Sequence, residues 1–211
     1  MSHLSKLASA HRFTWPRLCV RILISHNWRS ELNADLGRKL HVGGHESKAG
    51  WEILNANPAP YVDHVCNAID LSKFGDNTFQ QIYASHVVEH FDYKDEMTKA
   101  LAEWYRVLSP GGEVFVSVPD LDTLCHLFLD KTQLSGDERF FVMRMMFGGH
   151  IDKYDYHVVG LNQDFLGSYL HHSGFVNIRR VQNFGIFQDT SSMVFKGVPI
   201  SLNMVAEKPQ Q

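Results

Sequence analysis

Residues 79–119 read FQQIYASHVVEHFDYKDEMTKALAEWYRVLSPGGEVFVSVP. The first seven have the apolar and aromatic composition of a strand, and Glu113–Val118 has that of a strand buried on both faces. Between them, apolar side chains recur every three or four residues over Lys94–Leu108, which predicts an amphipathic helix. Ser109-Pro-Gly-Gly112 predicts a turn after that helix. A strand–helix–strand succession of this kind favours two parallel strands in one sheet.

The flanking sequence continues this alternation. Short apolar runs predict three earlier strands, and apolar periodicity predicts one or two helices within residues 121–147 and a helix over Gln163–His172 with Asn162 as its N-cap. Two strands close the chain, and no strong helix separates them, so we expect them to be antiparallel. The strands predicted besides those above are Lys39–Gly43, Trp51–Asn55, Asp63–Asn67, Phe175–Phe184 and Pro199–Glu207. The pattern predicts an α/β domain with a mostly parallel sheet of seven strands and an antiparallel last strand.

Composition indicates an ordinary globular protein. The chain has 211 residues, of which 44% are hydrophobic and 20% charged, and one domain accommodates this length. Residues 1–40 carry seven Lys/Arg and two Asp/Glu, a net charge of +5, which leaves −8 for the remainder. The basic residues are scattered, so we interpret residues 1–37 as a helical segment packed on a domain of residues 38–211. The net negative charge of residues 41–211 argues against a nucleic-acid partner, because it would repel phosphates.

Targeting signals and disulfides are not indicated. The apolar run Leu18–Ile24 is interrupted by Arg21, and it is far shorter than the roughly 20 residues that span a bilayer. We predict neither a signal peptide nor a membrane span. Cys19, Cys66 and Cys125 are odd in number and widely spaced, which favours reduced thiols in core positions and a cytoplasmic protein.

The topology also predicts where a ligand binds. In an open parallel sheet, ligands lie at the carboxyl ends of the strands. Several glycine and polar residues follow the predicted strands directly, so we expect them to surround one crevice. These are Gly43–His45, Asn55, Asn67, Ser85–Glu89 and Asp120.

Four stretches resemble the class I S-adenosylmethionine-dependent methyltransferases, and in particular a small bacterial branch of that family. The likeness spans roughly residues 38–208. The first stretch is the glycine loop His41-Val-Gly-Gly-His45, and the second is residues 79–91, where the family usually reads ASHVLEHF. The third is residues 105–119 with their Pro-Gly-Gly turn. The fourth comprises Met146-Phe-Gly-Gly149, Tyr154-Asp-Tyr-His157 and Gly174-Phe175. The resemblance implies a Rossmann-like fold and S-adenosylmethionine as cofactor.

The resemblance also assigns cofactor contacts. It implies that the cofactor touches Gly43, Gly44, His45, Asn55, Asn67, Ala68, Ser85 and His86. His45 stands where the family has a glycine, and Asn55 and Asn67 stand where it has acids. An amide accepts hydrogen bonds without the strength that a charge adds. Turn chemistry is the alternative explanation for the two asparagines. The link between the first two strands is too short for an ordinary crossover helix.

Methyl transfer requires an aligned acceptor, and a base assists when the acceptor is a hydroxyl or an ammonium group. We predict His157 as this base, His86 as the second choice, and Asp120 as a residue that orients either one. Because insertions after the fifth strand commonly cover the acceptor in this fold, we predict that role for residues 121–160. The resemblance implies a small polar acceptor, and a saccharide fits its branch. A polar loop that satisfies its own hydrogen bonds is the alternative for residues 150–157.

Two other functions stay open. The replacements at His45, Asn55 and Asn67 would also suit a methyltransferase fold that binds partners without catalysis. His86-Val-Val-Glu-His90 matches the H-x-x-E-H pattern of a zinc hydrolase. However, the preceding residues have strand character, so His86 should lie at a strand end, and no third ligand is evident from the sequence. We therefore predict no metal. The sequence allows a homodimer and does not fix the oligomeric state.

Overall fold

The structure is a computed structural model that describes residues 37–151 and 153–210. The predicted helical segment of residues 1–37, with its scattered arginines and Cys19, lies almost entirely outside the described residues.

The described chain alternates between strands and helices. The strands are β1 Arg38–Val42, β2 Trp51–Asn55, β3 His64–Val65, β4 Phe79–Ser85, β5 Leu108–Pro119, β6 Val176–Val181, β7 Val194–Phe195, β8 Val198–Pro199 and β9 Ser201–Glu207. The α-helices are α1 Glu96–Val107, α2 Leu121–Leu129, α3 Gly136–Phe147 and α4 Gln163–His172. Two single 3-10 turns, Val88–His90 and Thr190–Ser192, follow β4 and precede β7.

Seven strands form one sheet in the order β3-β2-β1-β4-β5-β9-β6. The pairs from β3 through β5 are all parallel, whereas β9 is antiparallel to both of its neighbours. This arrangement confirms the predicted Rossmann-like sheet with an antiparallel last strand. The short β7–β8 hairpin forms a separate two-stranded sheet.

Several predicted strand boundaries are wrong. The strand predicted at Phe175–Phe184 is shortened to Val176–Val181, and the last strand begins at Ser201, since Pro199 belongs to β8. The strand predicted at 63–67 is reduced to His64–Val65. The predicted turn Ser109–Gly112 lies inside β5, which begins at Leu108. Phe79 pairs with Leu108 and Gln81 with Glu113, so the residues between them bulge out of the ladder. Gly111 provides the left-handed backbone that this bulge requires, with φ +74°.

Helices α1 and α4 cover one face of the sheet. α1 buries Met97, Ala100, Leu101, Trp104 and Val107 along a single stripe, and α4 adds Leu166 and Leu170 to the same core. On the opposite face, Tyr83, Phe115 and Val205 form an aromatic cluster with residues such as Trp51 and Phe187. The described residues 43–50, between β1 and β2, form turns and no helix, as their shortness predicted.

The segment between β5 and β6 forms a small layer of its own. α2 and α3 share a core of Leu124, Leu134, Val142 and Ile200, and a Ser135–Glu138 capping box begins α3. Residues 148–160 then return to the turn after β4. Asn162 caps α4 as predicted, since its Oδ1 accepts from the Phe165 N–H at 2.9 Å.

Two further features concern the thiols and the helices. Cys66 and Cys125 are both free, but Cys125 is exposed rather than a core residue, because it lies on the outer side of α2. None of the described helices has the length and apolar character that crossing a bilayer requires.

Candidate functional site

A cavity of about 700 Å³ opens at the carboxyl ends of β1, β2 and β4. The residues predicted to meet there largely do so. The lining includes Gly43, His45, Asn55, Asn67, Ala68, Ser85, His86 and His157. Gly44, Val88, Glu89 and Asp120, which were also predicted there, are not among the lining residues. We refer to this cavity as the cleft.

Both glycines after β1 are required by the packing of the chain itself. Gly43 has φ +74°, and a Cβ there would lie 2.6 Å from Val87 Cγ2. A Cβ on Gly44 would lie 2.7 Å from His41 Nδ1. The exposed His45 lies at the rim of the cleft, with its ring centroid 6.5 Å from that of Tyr61. The loop therefore stays close to the sheet and leaves the space beyond β1 open.

Asn55 and Asn67 reach the cleft and also shape its loops. Asn55 Nδ2 donates to the Gly44 carbonyl at 3.2 Å, and its Oδ1 accepts from the Asn57 N–H at 2.9 Å. Asn67 Oδ1 accepts from the Ile69 N–H at 3.1 Å. The turn chemistry proposed as an alternative is thus present at both positions. A carboxylate at position 55 would lack the N–H that joins the ends of β1 and β2.

The helix α1 fixes the loop that carries Ala68. Trp104, which is fully buried, donates its Nε1–H to the Ala68 carbonyl at 2.9 Å. Arg106 donates to the carbonyls of Leu71 and Phe74 at 3.0 and 2.9 Å. These bonds position the wall of the cleft from the apolar core.

β4 ends at Ser85, and the chain turns sharply at His86, whose φ is +53°. This confirms that His86 lies at a strand end and not within a helix. Ser201 Oγ donates to the Thr190 carbonyl at 2.7 Å, so it accepts from His86 Nε2–H at 3.0 Å. The lone pair of His86 is consequently on Nδ1, which lies 3.4 Å from Glu89 Oε1.

Glu89 is a deeply buried carboxyl residue beside the cleft. It is 1% exposed, and neither carboxyl oxygen has a hydrogen-bond partner among the described residues. His157 Nε2 lies 3.9 Å from Glu89 Oε1. His90 Nδ1–H donates to the Tyr156 carbonyl at 3.0 Å.

Burial determines the protonation states of His86, His157 and Glu89. It lowers the pKa of His86 to about 3, with the nearby His157 adding to the effect. It likewise lowers the pKa of His157 to about 4 and raises the pKa of the Glu89 carboxyl to about 8. Near neutral pH both imidazoles are unprotonated, so each can accept a proton or a metal ion.

Residues 148–160 are attached to the turn after β4 by their backbone. The Val158 N–H donates to the Glu89 carbonyl at 2.9 Å, and the His157 N–H donates to the Phe147 carbonyl at 3.1 Å. His150 stacks on Tyr156 with ring centroids 4.0 Å apart. These contacts bring His157 next to Glu89 and close one side of the cleft.

Asp120 lies apart from the histidines. It is 2% exposed, and its Oδ2 accepts from Arg180 at 2.8 Å and from Thr123 at 3.0 Å. Both partners hold the chain where β5 passes into α2. Its predicted role as the residue that orients His86 or His157 is not supported by these contacts.

Some lining residues carried only a weak signal in the sequence, or none. Thr190 reaches the cleft from the loop before β7, and its Oγ1 lies 3.1 Å from Ser85 Oγ. His90 and Phe91 come from the turn after β4, and Tyr154 and Asp155 come from residues 148–160. The H-x-x-E-H pattern indicated His90, whereas Thr190 carried no signal beyond its polar loop.

Comparison with known families gives one match. Residues 45–116 match the sequence model of a family described as a methyltransferase domain. This range runs from the glycine loop to β5 and includes most of the strands that form the cleft. Among curated proteins, no sequence matches the chain.

Several solved structures share the fold. A SAM-dependent methyltransferase from Archaeoglobus fulgidus is 16% identical with a TM-score of 0.53, over 85% of this chain and 94% of that one. A 1,6-didemethyltoxoflavin-N1-methyltransferase from Burkholderia thailandensis is 16% identical with a TM-score of 0.51, over 86% and 76%. A structure described as a possible exported protein from Bordetella parapertussis is 11% identical with a TM-score of 0.52, over 86% and 67%.

At these identities the structural likeness concerns the fold. The sheet order with its antiparallel β9 and the domain match over residues 45–116 agree with the resemblance seen in the sequence. Residues 45–116 thus match a methyltransferase-domain family, and the described chain has the fold of class I S-adenosylmethionine-dependent methyltransferases.

Proposed function

We propose that the chain binds S-adenosylmethionine in the cleft and transfers its methyl group to a small polar acceptor, such as a saccharide. The observation that carries this proposal is the cleft itself. It lies at the carboxyl ends of β1, β2 and β4, and most of its lining residues fall within residues 45–116, which match the methyltransferase-domain family. Its volume of about 700 Å³ falls in the range of small-molecule sites.

The donor groups of the cleft suit the cofactor. Asn55 keeps a second amide hydrogen and a second lone pair after its two loop bonds, so it can still bind a ribose hydroxyl. Asn67 and Ala68 would border the adenine, and Gly43, His45, Ser85 and His86 would border the remainder. S-adenosylmethionine supplies the methyl carbon and its leaving group when bound.

The residues of the chain then act on the acceptor. Residues 121–160 would cover it, because Tyr154, Asp155 and His157 reach the cleft from that segment. Forming the new bond at an acceptor hydroxyl releases one proton, and the unprotonated imidazole of His157 or His86 would accept it. His157 is the first choice because the lone pair of His86, on Nδ1, faces the buried Glu89 carboxyl at 3.4 Å.

The polar rim favours a small polar acceptor. Asn57, Asp155 and Thr190 line the cleft together with the histidines, and they offer amide, carboxylate and hydroxyl groups for hydrogen bonds. A sugar presents several hydroxyls that such groups can bind. This acceptor class rests on the chemistry of the rim and on the family resemblance.

Calorimetric titration with S-adenosylhomocysteine tests cofactor binding. Ala56 is exposed and lines the cleft, so Ala56→Trp should fill it without disturbing the core. Ala102 is exposed on α1, away from the cleft, and Ala102→Trp is the matched control. We expect binding in wild type and in A102W, and at least a tenfold weaker affinity in A56W.

Two outcomes would contradict the proposal. Absence of binding by folded wild-type protein would favour the methyltransferase fold as a non-catalytic binding module. Equal affinity of A56W and wild type would place the cofactor outside the cleft. Once an acceptor is identified, unchanged turnover in His157→Ala would remove His157 from the mechanism.

A further inference from the structure

Three donor residues meet beside the cleft, and two of them line it. Glu89, His90 and His157 each offer one ligand atom, and these atoms all lie within 4.8 Å of one another. Glu89 and His90 belong to the turn after β4, whereas His157 comes from residues 148–160. The fold therefore joins His157 to two residues of the H-x-x-E-H pattern, with Glu89 in place of His86.

His90 has the tautomer of a metal ligand. A carbonyl oxygen only accepts, so the contact between His90 Nδ1 and the Tyr156 carbonyl at 3.0 Å places the proton on Nδ1. The lone pair is then on Nε2. Histidines that bind metals usually donate their other ring N–H to a carbonyl or a carboxylate in this way, and the bond fixes the orientation of the ring.

Glu89 lacks the partners that a buried carboxyl needs. It is 1% exposed, and both of its oxygens are without a hydrogen bond within the part of the chain that the structure describes. A buried polar group without a partner is costly and calls for an explanation such as a bound ion. The lone pair on His86 Nδ1 faces the same carboxyl from 3.4 Å.

The chemistry of these donors selects the metal. Two imidazole nitrogens with one carboxylate suit Zn²⁺ or Fe²⁺, whereas Mg²⁺ and Ca²⁺ prefer oxygen ligands. Ligands of a tetrahedral ion with bonds of about 2.1 Å lie roughly 3.4 Å apart. His157 Nε2 and Glu89 Oε1 are 3.9 Å apart, so a small rotation of either side chain would bring both to an ion.

We propose that Glu89, His90 and His157 bind one divalent transition-metal ion, with an open position toward the cleft. The inference goes beyond the proposed function, because metal binding requires neither cofactor nor acceptor. His90 and His157 both line the cleft, so an oxygen of a bound small molecule could take the open position. With the ion in place, His157 would hold the metal instead of accepting the proton itself.

Cobalt provides a direct readout. Full-length protein, freed of metal by a chelator and dialysed, is titrated with Co²⁺ while its visible d–d absorption is followed, without any cofactor present. We expect saturation at one equivalent, displacement by Zn²⁺ and no displacement by an equal concentration of Mg²⁺. Loss of a ligand in Glu89→Gln or His90→Asn should weaken the affinity by more than about 100-fold.

The matched control is a second histidine pair. His171 and His172 are exposed at the end of α4, far from the cleft along the chain, and the variant His171→Ala/His172→Ala should bind Co²⁺ as wild type does. Circular dichroism and thermal melting establish that each variant is folded. If Glu89→Gln fails to fold, His90→Asn, at a partly exposed position, provides the same test.

The inference is overturned if folded wild-type protein gives no Co²⁺ spectrum. It is also overturned if both cluster variants bind as wild type does, or if the control variant loses binding. Because the titration contains no S-adenosylhomocysteine, its failure leaves the calorimetric test of cofactor binding intact, and the reverse also holds.

Discussion

Lys208 and Glu89 are two ionisable side chains with almost no contact with solvent, and their surroundings differ completely. Lys208 follows β9, and its Nζ donates to Leu108 O at 2.7 Å, Asn77 Oδ1 at 2.8 Å and Tyr105 O at 2.9 Å. The Glu89 carboxyl, beside the cleft, has no hydrogen bond among the described residues.

The difference distinguishes two uses of a buried polar group. All three hydrogens of the Lys208 ammonium have acceptors, and these tie β9 to α1 and to the start of β5, so the residue serves the fold. Glu89 contributes nothing comparable to the fold, which leaves its oxygens available to a ligand. Burial alone is therefore a poor guide to function. Whether the buried group has hydrogen-bond partners within the protein distinguishes a structural residue from one that is available to a ligand.

The largest effect is expected where the fold depends on a buried charge. Lys208→Met removes the donor and leaves several buried acceptors unpaired. We expect the free energy of unfolding to fall by about 3 kcal/mol, measured by urea denaturation near neutral pH.

Lys99 is the control for this prediction. It forms an exposed ion pair with Asp95 at 2.6 Å, and both side chains are more than half exposed. Lys99→Met should leave the unfolding midpoint nearly unchanged. Equal losses in the two variants would contradict the distinction drawn from Lys208.

His41 extends the comparison to a buried group without a cavity. It is 6% exposed in β1, its Nδ1 has no partner among the described residues, and burial lowers its pKa to about 4. At pH values between this pKa and the higher pKa of a histidine in an unfolded chain, the unfolded protein binds more protons than the folded one. The free energy of unfolding therefore falls as the pH decreases. We expect about 2 kcal/mol to be lost between about pH 7 and about pH 5 through His41.

Urea denaturation at the two pH values measures this loss. His41→Phe keeps an aromatic ring against Phe187, 4.1 Å away between centroids, and should make the fall smaller. His172→Ala, at an exposed position, should leave it as in wild type. A fall of equal size in H41F and wild type would exclude His41 as its source.

A smaller effect is expected at the cleft. Asn67→Asp keeps the oxygen that accepts from the Ile69 N–H and adds a negative charge next to the proposed adenine position. A charge-assisted hydrogen bond should tighten S-adenosylhomocysteine binding roughly fivefold, or about 1 kcal/mol. Calorimetry measures the change, and weaker binding would contradict the placement of the adenine.

The smallest effect is expected for the stability of Glu89→Gln. No hydrogen bond to this side chain is present within the described residues, so an amide of the same shape breaks none. In metal-free protein we expect the free energy of unfolding to stay within about 0.5 kcal/mol of wild type. A loss as large as that of Lys208→Met would show that Glu89 serves the fold.

Local patterns predicted most of the fold. α4 begins directly after Asn162 and spans the predicted Gln163–His172, because capping is decided by neighbouring residues. The turn predicted at residues 109–112 is a bulge inside β5 in the structure. A Pro-Gly-Gly sequence is compatible with either, and pairing with β4 selects the bulge. The four-residue spacing of H-x-x-E-H was compatible with a helix, and only the strand character before it indicated otherwise.

The site was predictable only in part. Residues directly after strands, such as Asn55 and Ser85, reach the cleft because parallel strands end at one edge. The approach of His157 to Glu89 depends on how residues 148–160 return across the cleft, which no short-range pattern records. The partners of Asp120 were equally hidden, since Arg180 comes from β6.

The position of β9 has a consequence for synthesis on the ribosome. β9 lies between β5 and β6 in the sheet, although residues 120–200 separate it from β5 in the chain. During translation the edge of β5 remains unpaired until β9 emerges, and β6 has no partner in the sheet before then. The nascent chain therefore leaves the edge of β5 unpaired while residues 120–200 are added, and β6 joins it as a second unpaired strand shortly before β9. A chaperone that shields such edges should improve the yield most before residues 201–207 appear.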